Sequence, residues 1–288
     1  MELCALRLNS SARRPDWLMI TKNIFPADLD WSEAVRDLGP LPSDKSRIRL
    51  VTGARLERLD RFTRLKALWC FDINSRSLGY ICSCSSLEEL YIDTLKSDRI
   101  SCIHGLSLLK VLSIDSNSKI DSLREIGTLH GLAGLAIINF KNVHEIDPLS
   151  QLVNLQQLAV AGSIWTRMKI ESLKPLSALR NLKYLHLSNI KPADESLKPL
   201  AELHQLELLE IANFYPMEEV AWLSGRLRNT ECSWFRPFIE LPFDCPKCKR
   251  NKKLMLTGKG KPSLCKECDR ERLAKHIAKF EEIAGTAA

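Results

Sequence analysis

From Leu56 to Ile211, apolar residues fall on every third position and close with a pair two apart. The string repeats seven times. The first copy is Leu56, Leu59, Phe62, Leu65, Leu68 and Cys70, and the last is Leu197, Leu200, Leu203, Leu206, Leu209 and Ile211. The fourth apolar position falls at residues 65, 87, 109, 132, 155, 182 and 206, a period of 22 to 27. A fixed period in this range marks a solenoid, and units this short have no room for the two helices of a helical-hairpin repeat. The closing pair alternates with the period of a strand. Leu185 and Leu187 then point inward, and Tyr184, His186 and Ser188 outward. The triplets before it suit a short helix or 3-10 segment, where residues three apart share a face. One copy cannot bury its apolar side alone, so stability comes from stacked neighbours. The prediction is an α/β solenoid with a parallel concave sheet about 30 Å across and short helical or 3-10 convex segments.

The core string Leu109-Lys-Val-Leu112-Ser-Ile114, repeated as Leu182-Lys-Tyr-Leu185-His-Leu187, resembles the leucine-rich repeat family, over roughly residues 46 to 235. The resemblance, to a bacterial-type cytoplasmic member, implies the solenoid fold and says little about a ligand, because fold does not dictate function. The family's Asn follows the third Leu of the string by three residues. Asn117 stands there, whereas Asn139, Asn189 and Asn213 come one residue sooner. A tighter turn, and no regular Asn ladder, is expected.

The flanks depart from the repeat. Residues 1–55 form an N-terminal cap, with a strand over Asp16 to Ile20, a short helix from Asp30 to Gly39 and a degenerate strand at Ile48 and Leu50. Residues 56–235 are the solenoid with its C-terminal cap. There Val220, Leu223 and Leu227 continue on a helix, Thr230 and Cys232 take the last inward pair, and Trp234, Phe235 and Phe238 form the joint. The longest repeat carries extra residues around Ser163 to Lys169. That insertion is either a contact loop presenting Trp165 and Arg167 or a bulge with Trp165 tucked inward.

Residues 236–288 hold two C-x2-C pairs, Cys245/Cys248 and Cys265/Cys268. This is the ligand set of a four-cysteine zinc site. With a β-hairpin from Lys252 through the Gly258-Lys-Gly260 turn, the segment resembles a zinc ribbon. It is too small to fold on apolar burial, so the metal is structural. His276 is expected to be an exposed helix residue. The other six cysteines, Cys70 and Cys84 among them, are expected to behave as small hydrophobes. Reduced thiols, with no secretory leader or membrane-length apolar run, point to the cytoplasm.

No nucleophile elbow, phosphate loop or H-E-x-x-H string is present, so the chain is not read as an enzyme. Register places Trp69, Phe71, Tyr91, Asp93, Asp115, Tyr184, His186 and Glu210 outward on the concave face. Aromatic anchors beside acids suit a protein partner, unless the N-terminal cap folds over Trp69 and Phe71. Known bacterial relatives act as effector or immunity partners, which is analogy alone. The alternative is a nucleic-acid-associated adaptor. Residues 245–288 carry 12 Lys/Arg against 5 Asp/Glu, the whole chain's excess of seven positive charges. No aromatic ring lies between Cys245 and Cys268 to stack on a base.

Overall fold

The structure is a computed structural model that describes residues 31–163 and 165–287. Eight parallel strands form one sheet, ordered as in the chain: β1 (Arg47–Arg49), β2 (Ala67–Ile73), β3 (Glu89–Leu95), β4 (Val111–Asn117), β5 (Gly134–Phe140), β6 (Gln157–Ala161), then β8 (Tyr184–Leu187) and β10 (Leu208–Ile211). Each copy is in register with the next. Leu68, Leu90, Leu112, Leu135, Leu158, Leu185 and Leu209 form one row, and every member is buried.

The three-residue period has a direct cause in the backbone. The amide of each apolar residue donates to the carbonyl of the apolar residue three before it: Leu149 to Ile146, Leu152 to Leu149, Leu155 to Leu152. This is 3-10 geometry, and it keeps one side chain per turn on the core. Regular 3-10 segments include Asp147–Gln151, Lys174–Ala178 and Lys198–Glu202, each with a proline in its first turn, where a missing N–H costs nothing.

Two of the three shifted asparagines, Asn139 and Asn189, are explained by the turn after their strands. Asp72, Thr94, Ser116, Asn139 and Asn189 all have positive φ, between 48° and 64°. They occupy the same place, two residues after the inward pair, and Asn is among the few residues that tolerate that conformation. The next position is buried and mostly apolar, filled by Ile73, Leu95, Phe140 and Ile190. Only Asn117 makes the ladder-type contacts. Its Nδ2 donates to the Leu95 and Ser97 carbonyls at 2.9 Å, and its Oδ1 accepts from the amides of Lys119 and Ile120.

Three expectations need correction. From residue 31 to Gly39 the only helical segment is Trp31–Glu33. Val35 instead bridges Leu50, its amide donating to the Arg49 carbonyl at 2.9 Å, so sheet pairing overrides helix propensity. Asp16 to Ile20 and Asp30 lie outside the described residues. The longest repeat adds a second small parallel sheet, β7 (Met168–Ile170) on β9 (Ile190–Pro192). Finally, Cys82 and Cys102 are joined as a disulfide between the helix Ser75–Cys82 and the 3-10 segment Ser101–Gly105. They are not isolated small hydrophobes, and that pair drops out of the argument for reduced thiols.

At the C-terminal end, the cap helix Met217–Arg226 covers the stack, and Glu231 bridges Leu208 beyond β10. Thr230 and Cys232 are buried where the last inward pair was expected. The ribbon follows as three antiparallel strands, β11 (Phe238–Asp244), β12 (Lys252–Leu256) and β13 (Ser263–Cys265), with β11 added to the expected hairpin. The terminal helix Arg270–Thr286 places Leu273 against Leu254, Leu256 and Leu264 of the ribbon. Its far end joins the solenoid core through Phe280, Ile283 and Ala284. A Cβ on Gly225 of the cap helix would lie 2.2 Å from the Ala284 carbonyl oxygen, so the two helices touch where glycine allows it.

Candidate functional site

The inward strand positions make the core, and the outward ones form rows across the concave face. One row runs Trp69, Tyr91, Ser113, Ala136, Ala159, His186, Glu210. The outward direction predicted from alternation holds throughout. Exposure is another matter: Trp69 is 4 % exposed and Tyr91 5 %. Their rings stack at 4.8 Å and 3°, and the Arg49 guanidinium lies 5.2 Å over Trp69. Burial pushes the Tyr91 hydroxyl far above its ordinary range, with the neighbouring Glu89 acting the same way. Phe71, Asp93 and Asp115, in the next row, are half-buried.

At the other end of the face, His186 is 4 % exposed. Its Nδ1 is 2.7 Å from Glu210 Oε2 and its Nε2 is 2.8 Å from Ser188 Oγ. The network fits the tautomer in which Nδ1–H donates to the carboxylate and Nε2 accepts from the hydroxyl. Strand period two puts His186 and Ser188 side by side, and the parallel register brings Glu210 opposite. The order Ser, His, Glu is that of an acyl-transfer relay. The two hydrogen bonds fix the imidazole between Glu210 and Ser188. Tyr184, half-buried, meets Glu207 at 3.2 Å.

The insertion loop is resolved in favour of display. Trp165 is 85 % exposed, the most open large apolar residue described. The loop around it is tied down. Gly162 N donates to Ser188 O at 3.0 Å, Asn189 Nδ2 to Ser163 O at 2.9 Å, and Met168 N to Asn189 O at 2.9 Å. Arg167 reaches across to the Phe214 ring, 3.7 Å from its centroid.

The second site is in the ribbon. The Sγ atoms of Cys245, Cys248, Cys265 and Cys268 all lie within 4.8 Å of one another. Cys245 and Cys268 are 3.9 Å apart and Cys248 and Cys265 3.7 Å. Four sulfurs at ~2.3 Å from a tetrahedral ion are separated by ~3.8 Å, so the cluster fits a metal ion. Backbone amides from Arg250 and Asn251 hold the Cys248 thiol down at about 6. The amides of Cys248 and Lys247 lower Cys245. Cys268 is pushed up to about 12, by desolvation first and then by the three neighbouring sulfurs.

His276 corrects its expectation. It is half-buried, with Nε2 2.8 Å from the Pro237 carbonyl oxygen, and it ties the terminal helix to the ribbon's first strand. Among the described residues no helix is long and apolar enough to cross a membrane.

No known protein family and no curated protein matches the chain. Among solved structures, an internalin (InlF) from Listeria monocytogenes aligns with TM-score 0.56 and 20 % identity, over 66 % of this chain and 54 % of that one. The chain therefore spans about half the length of this neighbour. An internalin C2 from the same species aligns at TM-score 0.45 and 21 % identity, over 62 % and 73 % of the two chains. The Arabidopsis receptor kinase HAESA, solved with the peptide hormone IDA and the co-receptor SERK1, aligns at 0.45 and 16 %, over 76 % and 41 %. At 20 % identity the likeness to the internalin InlF is one of fold alone. The chain has the fold of a leucine-rich-repeat solenoid, with a four-cysteine cluster able to hold a metal ion at its C-terminal end.

Proposed function

We propose that this protein is a binding module, not an enzyme, that docks a protein partner on its concave face, and that the ribbon carries one structural Zn2+. The observation that carries the reading is Trp165. An open tryptophan on a loop held by hydrogen bonds is a residue type that interfaces favour as an anchor. The contact residues are taken as Trp165 and Arg167 on the insertion loop and Tyr184, Glu210, Asp93 and Asp115 at outward strand positions. The mix of aromatic and acidic groups suits a partner with a basic surface. Burial of Trp69 and Tyr91 moves the centre of this site toward the C-terminal half of the face. Four sulfur donors at tetrahedral separation favour zinc. An effector- or immunity-type role is one setting for such a module. A reducing compartment, the cytoplasm, suits the four thiolates, and the Cys82–Cys102 pair is the observation against it.

The nucleic-acid reading is weakened by how the basic residues are used. Lys252 pairs with Asp244 at 2.8 Å, Lys259 with Glu195 at 2.5 Å and Arg250 with Glu267 at 2.6 Å. Fewer cations remain for a phosphate backbone than the sequence count suggests.

The test is affinity capture from the native host with the full chain. Trp165→Ala is expected to weaken recovery of the partner by tens of fold, in line with a hot spot worth about 2 kcal/mol or more, at an unchanged melting temperature. Lys247→Ala with Lys266→Ala on the ribbon is expected to leave capture intact. The reverse pattern overturns the reading and moves function to the tail.

A further inference from the structure

A cleft of about 280 Å3 opens where the ribbon meets the cap helix. It is composite. Met217 comes from the cap helix, and Leu256 and Leu264 from β12 and β13. All three are buried and form an aliphatic floor. The joint that builds it is specific. Asn213 Nδ2 donates to Leu256 O at 2.9 Å, and Gly258 N donates to Asn213 Oδ1 at 2.7 Å. Gly258 has φ 119°, and a Cβ there would lie 2.7 Å from Met217 Cβ, so both conformation and contact require glycine.

The rim has one sign. Lys261 stands on the loop between β12 and β13. Arg272, Lys275 and Lys279 follow at helical spacing along the terminal helix. No carboxylate lines the cleft. Lys279 is paired with Glu218, and Arg272 lies 3.6 Å from Asp269. Lys261 and Lys275 have no ion pair among the described residues. His276 shares the cleft, and its pKa is lowered, first by desolvation and also by the nearby Lys261 and Lys279. Its Nε2 lies 2.8 Å from the Pro237 carbonyl oxygen.

The shape of the site restricts what it takes. The volume falls below the roughly 300–1,000 Å3 of small-molecule pockets, enough for one side chain and not for a cofactor. The floor has no aromatic ring, so a nucleic-acid base finds no stacking surface. A bare anion leaves the aliphatic floor unused. We propose that this cleft binds an acidic segment of a protein partner, with one apolar side chain on Met217, Leu256 and Leu264 and flanking carboxylates paired with Lys261 and Lys275. It is a second contact, and it does not depend on the concave-face reading.

The probe is a panel of fluorescein-labelled acidic hexapeptides with Leu, Phe or Ala at one central position, titrated into the full zinc-loaded chain and followed by polarisation. Leu and Phe peptides are expected to bind several-fold tighter than the Ala peptide. Lys261→Ala with Lys275→Ala is expected to weaken binding about tenfold, as for paired charges at an interface. Lys247→Ala with Lys266→Ala removes the same charge elsewhere on the ribbon and is expected to change affinity less than about twofold. Trp165→Ala should leave it unchanged, so the two sites are tested separately. The proposal is overturned by equal loss in both lysine pairs, by no preference for Leu or Phe over Ala, by no peptide binding at all, or by a single-stranded oligonucleotide that binds more tightly than every peptide and loses affinity with Lys261 and Lys275.

Discussion

Leu132 and Leu158 lie in a stack whose neighbouring copies bury the same positions on either side. Leu254 in the ribbon has only Leu256, Leu264, Leu273 and two partly buried neighbours. The solenoid therefore holds itself by repetition, each copy supplying the wall for the next. The ribbon has too little apolar area for that, and its four clustered thiols are able to hold a cation that would supply the rest. The two regions also meet differently with water. Core rows of the solenoid are closed to solvent, whereas the ribbon strand β11 runs largely half-buried to exposed. Stability of the repeats should thus be graded along the chain, and stability of the ribbon should switch with metal.

The largest effect that separates the two is metal removal. Structural zinc in small domains contributes on the order of 10 kcal/mol. Cys248→Ser, or a strong chelator, is expected to unfold residues 238–269 while leaving the leucine rows protected. Hydrogen exchange read by segment checks this. If β12 keeps its protection without metal, apolar packing onto the cap helix suffices and the contrast fails. Next in size is a core deletion. Leu132→Ala or Leu158→Ala is expected to cost roughly 2–5 kcal/mol, seen as a fall in denaturation midpoint. The loss should spread to flanking copies and spare the metal content of the ribbon. Unchanged melts would show that these side chains do not carry the stack.

The joint between the regions comes third. Asn213 holds both the Leu256 carbonyl and the Gly258 amide. Asn213→Ala leaves both unpartnered at a half-buried place, at about 1–3 kcal/mol for an orphaned group. The expected outcome is faster exchange at Gly258 and in the terminal helix, with the rows from Leu68 to Leu158 unaffected. A uniform loss across the whole chain would mean that the ribbon and the solenoid unfold together.

Periodicity made the solenoid legible because it is written seven times. A period of three with a closing pair fixes inward and outward directions at every copy, down to Thr230 and Cys232 at the cap. The four cysteines were legible because spacing alone defines a tetrahedral donor set. What escaped the sequence was everything set by neighbours in space. Alternation gave the direction of Trp69 and Tyr91 and not their burial, since a side chain's exposure depends on what lies over it. Asn139 and Asn189 looked like a defect of the ladder, and they are answers to positive φ, which a residue string does not show; Asn213 is instead held by the ribbon. The terminal helix read as ribbon, yet Phe280 belongs to the solenoid core. His186, Ser188 and Glu210 become one network only through parallel register, and Cys82 meets Cys102 only through stacking of consecutive convex segments.

The smallest predicted effect tests the comparison with acid. Glu88 lies between Lys66 and Lys110, at 2.8 and 2.9 Å, one residue after the fourth apolar position of its copy, as they are in theirs. The three tie successive copies together. The lysine hydrogen bonds, Lys66 first, hold the Glu88 carboxyl down at about 2, from 4.5. A lowered folded-state value means that the stabilisation is present above about 4.5 and fades as pH falls toward about 2. The side chain is accessible to water, so screening keeps the effect small. Glu88→Gln should melt below wild type at pH 6 and converge with it near pH 2.5, and added salt should narrow the gap at pH 6. In the ribbon, acid protonates the metal-binding thiolates instead, so metal should be lost at a higher pH than the one at which the Glu88 contribution disappears. Metal release and solenoid melting followed in one acid titration should give two separate steps. A single coincident step would mean that the metal centre and the repeats stand or fall together.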